Sequence, residues 1–456
     1  MTGLAFALLL SAALAGYAMN RRAAYALRDS GQRLHSLGSF HGLYAALLVL
    51  VPAFVVTILW LFLEGAVINS ITLSGLPDGV LSQAPNPQLI LTEIQSIAGG
   101  RIFGNPDPWK LEAADRMVAL RAMSGWLLVA SIAALSAALL YVSRRQVTAD
   151  FRARQAAERI IMGLMITCSL IAVFVTVGIV LSLVFESIRF FQMVPLTEFL
   201  FGTRWEPQMP IRADQVAAEG AFGVVPVFLG TLVITTIAIT ISVPVGLLSA
   251  IYLNEFASSR VRAVVKPVLE LLAGIPTVVY GFFAILTVAP ALRAWGAALG
   301  IPVAPNTALA AGGVMAIMLI PFISSFADDA LSAVPRSLRD GAIALGATRS
   351  ETILNVLFPA AIPGIMGGVL LAISRAIGET MIVVMAAGLI ASMTVNPLNS
   401  VTTITVQIVT LLIGDTAFDS PKTLAAFALG LLLFVVTLFI NILALRIVRK
   451  YREQYD

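Results

Sequence analysis

Charged residues and cysteine are both scarce in this sequence. Asp, Glu, Lys and Arg make up 12% of its 456 residues, and 59% of the residues are apolar, whereas a soluble domain is about 25% charged and about 45–50% apolar. A chain this apolar cannot bury its apolar side chains in its own interior and still present a polar surface to water. The composition therefore excludes a soluble enzyme, a nucleic-acid-binding protein and a secreted disulfide scaffold. The single cysteine, Cys168, excludes an intrachain disulfide.

Lysine and histidine are also rare, and their positions argue against catalysis. A nucleotide-binding P-loop needs a lysine directly after a glycine, because the glycine-rich turn cradles the phosphates that this lysine reaches. None of the four lysines follows a glycine. The two histidines, His35 and His41, have no cysteine cluster near them and belong to no nucleophile-elbow pattern. The sequence thus predicts no enzymatic activity, no metal site and no cofactor.

Long apolar runs take up most of the chain. A helix needs about 20 apolar residues to cross the roughly 30 Å hydrocarbon core of a bilayer. This length predicts an all-α polytopic membrane protein with a six-helix core preceded by about three extra transmembrane helices. The nine predicted spans are 4–19, 43–64, 119–142, 160–185, 223–253, 268–291, 307–329, 360–391 and 423–447.

The basic residues predict the orientation of these spans. Of the 29 Lys and Arg residues, 19 lie in one set of alternating loops and 8 in the other set, and only Arg121 and Arg375 fall within spans. Cytoplasmic loops of membrane proteins carry the excess of basic residues. We therefore expect a cytoplasmic C-terminus and an N-terminus on the opposite side.

The distribution of spans divides the chain near residue 155. Residues 1–155 contain three spans and an outside loop, 65–118, that is rich in Pro, Asn and Gly. Residues 156–456 contain the other six spans, with an outside loop at 392–422. We expect an N-terminal extension at 1–155 and a separate transmembrane domain at 156–456.

The cytoplasmic loop between the seventh and eighth spans carries clear turn signals. Leu338, Ala342 and Leu345 recur at helical spacing, which predicts a short helix with one apolar stripe. Gly346 is placed to end this helix, because glycine accepts the left-handed conformation of a C-terminal cap. Thr348 and Glu351 form a capping-box pattern, which predicts that a second helix starts at residue 349 and leads into the eighth span.

Ionisable residues inside the predicted membrane spans are candidate functional residues. A charge at the centre of a bilayer costs about 2.5–3.5 kcal/mol on insertion scales, so it should face protein or water. Arg375 and Glu379 are four residues apart and are expected to pair along one face of the eighth span. Glu270, on the predicted sixth span, is a possible interhelical partner. These charges are interpreted either as a structural ion pair or as part of an anion pathway.

The cytoplasmic loop resembles the EAA loop of ABC importer permeases. That motif reads E-A-A, three residues, G, and nine residues later I-x-L-P; the present chain has the same spacing, with Asp for Glu and Gly for the first Ala. The resemblance implies that the coupling loop, 331–359, docks in a groove of a cytoplasmic ATPase subunit. An amphipathic helix lying on the membrane surface is the alternative. The matching residues are Asp340, Gly341, Ala342, Gly346, Leu357 and Pro359.

Three further motifs are similar to those of phosphate importer permeases of the PstC type. They are R-A-I-G-E-T at 375–380, L-L-A-G-I-P-T-V-V-Y-G at 271–281 and F-G-T-R-W-E-P at 201–207. The resemblance covers 156–456, while 1–155 resembles an extension found only in some members. It implies a multi-pass permease of the bacterial inner (plasma) membrane that imports phosphate.

The same resemblance implies the partners of the chain. They are cytoplasmic ATP-binding subunits, a second homologous permease, an extracytoplasmic phosphate-binding protein, phosphate itself and membrane lipid, but no nucleic acid. Two alternatives stay open. The cargo could be another oxyanion such as molybdate or tungstate, or the protein could be a secondary transporter whose membrane charges couple to protons.

Overall fold

The computed structural model describes residues 1–76, 87–101, 106–207, 220–413 and 419–451. In these residues the regular structure is helical apart from one short antiparallel ladder. Its strands are β1 (Trp205–Glu206) and β2 (Ala221–Phe222), and Trp205 lies opposite Phe222.

Nine helices in the described part of the chain are long and apolar enough to cross a membrane. This number confirms the predicted number of spans. The nine helices are α1 (Thr2–Asp29), α2 (Gly38–Ser74), α4 (Pro108–Arg145), α5 (Ala153–Met193), α7 (Val225–Phe256), α9 (Thr277–Leu299), α10 (Ala308–Ser332), α12 (Arg349–Ile377) and α15 (Pro421–Tyr451). The shorter helices are α3 (Pro87–Ala98), α6 (Leu196–Phe201), α8 (Ser259–Ala273), α11 (Arg336–Ala344), α13 (Met381–Ala386) and α14 (Ile404–Leu412).

The chain forms two compact units, Met1–Phe174 and Val175–Asp456. The boundary between the two units lies within the continuous helix α5. In the first unit, Leu9 of α1, Ala53 of α2 and Ile132 of α4 share a buried core. The predicted outside loop, 65–118, is largely helical instead, because α2, α3 and α4 all extend into it; its residues 77–86 and 102–105 lie outside the described residues.

Helices α7 and α10 form the centre of the second unit. Ile234 of α7 and Met315 and Leu319 of α10 are buried in the same core. Small residues bring the two backbones close together: a Cβ added at Gly312 of α10 would lie 2.8 Å from the Ile237 side chain of α7. Such close approach is typical of helix packing in membranes, where dispersion contacts contribute more than hydrophobic burial.

The predicted sixth span, 268–291, is wrong at its start. Helix α8 ends before Pro276 and α9 begins after it, because proline has no amide hydrogen with which to continue the helical ladder. The Tyr280 hydroxyl donates a hydrogen bond to the Leu272 carbonyl across this break, at 2.8 Å. Glu270 therefore lies on the separate helix α8 and not on the sixth span.

The predicted eighth span, 360–391, is too long. Helix α12 ends at Ile377, the short helix α13 follows, and residues 387–403 form an irregular segment. Helix α14 begins at Ile404, inside the predicted outside loop 392–422. The polypeptide thus leaves helical geometry within a stretch that hydropathy alone assigns to one span.

Buried polar side chains satisfy the backbone of this irregular segment. The Gln407 side-chain amide donates to the Leu389 carbonyl at 2.9 Å, and the Trp205 indole donates to the Gln407 side-chain oxygen at 2.9 Å. The Thr405 hydroxyl donates to the Glu379 carbonyl at 2.8 Å. These bonds supply hydrogen-bond partners to backbone carbonyls where the helix is broken.

A glycine on α7 allows this segment to pack closely. A Cβ added at Gly230 would collide with the Thr402 carbonyl oxygen. We expect Gly230→Ala to destabilise the protein by about 1–3 kcal/mol, because the backbone of the segment must shift. The measurement is thermal unfolding of the purified protein in detergent.

Gly313 is the matched control for this substitution. It also lies in the interior of a spanning helix, but a Cβ added there meets no atom within 4 Å. Gly313→Ala should leave the midpoint unchanged or raise it, because alanine is the better helix former. Equal midpoints for the two variants would contradict the close packing of α7 on the 387–403 segment.

Candidate coupling site and intramembrane charges

Helix α11 ends in a complete Schellman cap, as the position of Gly346 predicts. Gly346 has φ +90°, in the left-handed region that favours glycine. Its amide donates to the Ile343 carbonyl at 3.0 Å, and the Ala347 amide donates to the Ala342 carbonyl at 3.1 Å. These two bonds satisfy carbonyls that the end of the helix would otherwise leave open. The turn between α11 and α12 is thus fixed by local backbone geometry.

The predicted capping box at the start of α12 is confirmed. The Thr348 hydroxyl accepts a hydrogen bond from the Glu351 amide at 3.3 Å, and the Glu351 carboxylate accepts one from the Thr348 amide at 2.8 Å. The helix starts at Arg349 and passes through a π-helical turn, Ile353–Leu357, before it continues to its end. The coupling loop therefore leads directly into the eighth span, as expected.

The residues that match the EAA motif divide into an exposed group and an anchoring residue. Asp340, Gly341 and Pro359 are exposed. Leu357 is 1% exposed and packs in a core shared with residues of α7 and α10, such as Ala250 and Leu331. Leu357 thus holds the loop to the membrane helices, while Asp340 and Gly341 on α11 are exposed.

The apolar stripe predicted for α11 is wrong at one position. Leu338 packs against the core that contains Leu357, and Ala342 is partly covered. Leu345 is 92% exposed, because the Schellman turn directs the chain away from the core at that point. An apolar side chain is thus presented on the surface at the tip of the loop.

A buried acidic residue that the sequence analysis missed contacts the same loop. Glu255 lies in the π-helical last turn of α7, Tyr252–Phe256, with its side chain 4% exposed. Its carboxylate accepts a hydrogen bond from the Arg339 guanidinium of α11. The sequence does carry a signal for Glu255, because it is an acidic residue at the end of an apolar run, in Y-L-N-E-F. Averaging hydropathy over a window hides this single charge.

A second buried carboxylate, also missed, joins three helices. The Asp328 carboxylate of α10 lies 2.8 Å from Arg262 and 2.7 Å from Lys266, both on α8. The Asn254 amide of α7 donates to the same carboxylate at 2.8 Å. The hydrogen bond from Lys266 to Asp328 raises the pKa of the Lys266 ammonium above its usual value. This cluster fixes α8 and the end of α7 against α10.

The predicted pairing of Arg375 with Glu379 along one helical face is not formed. Helix α12 ends at Ile377, so the two residues do not share a continuous helix. The Glu379 carboxylate instead accepts hydrogen bonds from the Met381 and Ile382 amides, at 3.1 and 3.4 Å, at the start of α13. Its local role in this structure is to cap that short helix.

The structure does not bring Glu270 together with Arg375 either. Arg375 is exposed, with its guanidinium carbon 5.9 Å from the centroid of the Phe322 ring, and it forms no ion pair with any residue that the structure describes. Glu270 is exposed on α8, where it lines an open cavity of ≈600 Å³ beside Gly274 and Pro276. The three predicted membrane charges are thus separate features of the second unit.

Comparison with known proteins places this architecture in a family. Residues 242–453 match the family model described as "Binding-protein-dependent transport system inner membrane component". The chain is 34% identical, over 63% of its length and 89% of the relative's length, to a "Probable ABC transporter permease protein YqgH" of Bacillus subtilis. The chain belongs to the ABC transporter permeases of this family.

The chain is also similar to a named phosphate permease in sequence and to a solved transporter structure. It is 34% identical to the "Phosphate transport system permease protein PstC 1" of Mycobacterium tuberculosis, over 55% of the chain and 81% of that protein. A structure of the MetNI methionine ABC transporter in an inward-facing conformation covers 51% of the chain and 95% of the matched chain, with 20% identity and a TM-score of 0.37.

The N-terminal extension has a match of its own. Residues 6–175 fit the family model described as "Phosphate ATP-binding cassette transporter". This range corresponds closely to the first compact unit, Met1–Phe174. The resemblance of the sequence to a permease with an N-terminal extension is thereby confirmed, and the coupling loop and membrane charges all fall within the permease match.

Proposed function

We propose that this permease imports inorganic phosphate and forms the translocation pathway with a second, homologous permease. The observation that carries the proposal is that one chain combines the permease match at 242–453 with a phosphate-transporter match at 6–175. The name of the mycobacterial relative supports the same substrate. ATP hydrolysis takes place on the partner ATPase subunits, so the permease itself is not an enzyme.

The partners follow from this assignment. ATP-binding subunits dock on the coupling loop, an extracytoplasmic phosphate-binding protein delivers phosphate to the opposite face, and membrane lipid surrounds the spanning helices. The excess of basic residues in alternating loops supports a cytoplasmic position for 331–359 and for the C-terminus.

To test the substrate, the permease is copurified with its ATPase subunits and the second permease. The assembly is then reconstituted in liposomes. With the phosphate-binding protein present, phosphate should stimulate ATP hydrolysis and accumulate across the membrane only when ATP is supplied. Stimulation by molybdate or tungstate but not by phosphate would assign a different oxyanion. Uptake driven by a proton gradient without ATP would assign a secondary transporter.

The exposed surface of α11 supports its role in coupling. Asp340 and Gly341 are exposed at the middle of the helix, and Leu345 is almost fully exposed at its end. A large apolar side chain held at the tip of a rigid turn suits insertion into an apolar groove of another protein. The turn at Gly346 matters for coupling because it sets the orientation of α11 relative to α12.

We expect Gly346→Val to uncouple ATP hydrolysis from transport. A β-branched residue does not tolerate φ +90°, so the Schellman turn opens and α11 loses its orientation. The stimulation of ATP hydrolysis by the loaded binding protein should fall, by about tenfold if the misplaced turn removes about 1.4 kcal/mol of coupling, while membrane insertion persists.

Gly346→Asn is the matched variant for this experiment. Asparagine adopts the left-handed conformation far more readily than valine. It should therefore retain more of the stimulation than Gly346→Val does, at equal amounts of assembled complex. Full stimulation in the valine variant would show that the turn does not serve coupling.

Arg375 is the strongest candidate for contact with the anion inside the membrane domain. Its guanidinium is exposed and without an ion pair among the described residues, whereas buried Glu255 and Asp328 are paired. A guanidinium in a region of low dielectric attracts an oxyanion strongly and can bind it through two parallel hydrogen bonds. We also propose Glu379 and Glu270 as pathway residues, each acting apart from Arg375, because the structure forms no ion pair between Arg375 and either of them.

We expect Arg375→Gln to reduce phosphate uptake by about tenfold or more, because a hydrogen bond to a charged group contributes about 1.5–3 kcal/mol. The amount of assembled complex should stay unchanged. Glu379→Gln should also assemble normally, because the remaining carbonyl oxygen can still accept from the Met381 amide.

The control is Arg121→Gln, which removes the other arginine that lies within a predicted span. Arg121 is exposed in the first unit and has no ion pair in the described part of the chain. Phosphate uptake measured in liposomes should distinguish the two variants. An Arg375→Gln protein that imports phosphate as fast as the Arg121→Gln protein would exclude a pathway role for Arg375.

A further inference from the structure

The ion pair between Arg339 and Glu255 is the one polar side-chain contact of α11 within the described residues. Arg339 lies in the middle of α11, and its side chain is 34% exposed; Glu255 is buried in the last turn of α7. The other contact of α11 with the core is made by Leu338, which is apolar. Apolar contacts are non-directional, so the ion pair is the contact that fixes where α11 lies relative to α7.

The end of α7 is suited to receive a displacement from α11. Its last turn, Tyr252–Phe256, is π-helical, and such turns are less regular than an α-helix and often occur at functional sites. The neighbouring residue, Asn254, donates to both Asp328 and Ser332 of α10, each at 2.8 Å. The same turn therefore connects α11 on one side with α10 on the other.

Burial makes the contact between Arg339 and Glu255 hard to break during movement. If α11 moved away without α7, the Glu255 carboxylate would stay buried without a partner, which is far more costly than breaking an exposed ion pair. Movement of α11 together with the end of α7 keeps the pair intact and avoids this cost.

We propose that the Arg339–Glu255 ion pair transmits displacement of the coupling helix α11 to the spanning helix α7. This inference rests on the proposed function, since it assumes that an ATPase moves α11. Arg339 and Glu255 are positioning residues in this role: neither needs to touch phosphate or ATP. The two residues are 84 positions apart in the chain. The coupling loop continues into α12, and the ion pair connects it in addition to α7.

The decisive variants remove or reverse the pair in the complete assembly. Arg339→Gln alone can reduce folding, because it leaves Glu255 unpaired, so the double variant Arg339→Gln with Glu255→Gln carries the test. This double variant has no unpaired buried charge and should assemble in normal amounts. If the pair transmits movement, phosphate imported per ATP hydrolysed should fall by about tenfold, within the usual range of coupling between sites.

Two comparisons separate transmission from a purely structural role. The reversed pair, Arg339→Glu with Glu255→Arg, should restore most of the uptake per ATP, because it restores the link. Arg260→Gln is the matched control: Arg260 is an exposed arginine of α8 with no ion pair among the described residues. Uptake per ATP in the double glutamine variant equal to that in Arg260→Gln would overturn the inference.

A readout that does not depend on the substrate distinguishes this inference from the proposed function. Leu248 lies on α7 and is 66% exposed. In a Cys168→Ser background, the rate at which a water-soluble maleimide labels Leu248→Cys should change when ATP is added, and the double glutamine variant should abolish that change. If the unmodified assembly imports no phosphate but shows the change, and the double glutamine variant abolishes it, the substrate assignment fails and the link stands. If the change persists in the double variant, the link fails.

Discussion

The structure depends above all on one constraint: a backbone amide or carbonyl inside a bilayer must find its hydrogen-bond partner within the protein, because the hydrocarbon offers none. The nine long apolar helices of the described residues meet this constraint in the simplest way. The constraint is most informative at two places where a predicted span leaves helical geometry, around Pro276 and over 387–403. Around Pro276, the Tyr280 hydroxyl donates a hydrogen bond to the Leu272 carbonyl. In the 387–403 segment, the Leu389 carbonyl accepts a hydrogen bond from the Gln407 side-chain amide.

These exceptions require side chains that hydropathy counts as unfavourable in a span. Thr402, Thr403, Thr405 and Gln407 are all buried, and each is polar. Irregular backbone at membrane depth is tolerated where it is enclosed by protein or lines a water-filled cavity. The burial of these side chains shows that protein encloses the end of the broken segment. The proposed pathway residue Arg375 lies near the end of α12, and the short helix α13 separates it from this segment in the chain.

The sequence predicted features that depend on a few neighbouring residues. The number of spans follows from run length, and the cap at Gly346 and the box at Thr348 follow from turn chemistry within four residues. The end of α12 at Ile377 could not be predicted in this way, since the apolar run continues to residue 391. Its location depends on the buried contacts of Gln407 and Thr405, which come later in the chain.

The same reasoning explains which site residues were missed. Glu255 and Arg339 are separated by 84 positions, and Asp328 and Lys266 by 62, so no local spacing rule relates them. Arg375 and Glu379 do have the helical spacing of a pair, but that rule applies only within an unbroken helix. A charge in an apolar run therefore selects candidate residues, while their partners could be found only from the fold.

Among the described residues of the second unit, some charges are paired within the chain and others are not, and an unpaired charge in a span needs a partner from outside the chain. Glu255 and Asp328 are buried, and each has a cationic partner within the chain. Arg375 and Glu270 are exposed, and neither has an ion pair among the described residues. An arginine facing lipid in a span is costly, so Arg375 needs water, an anion or a second protein beside it. The aqueous pathway that we propose between two permeases supplies that environment, because the surface that is exposed in one chain then faces the second permease and the solute between them.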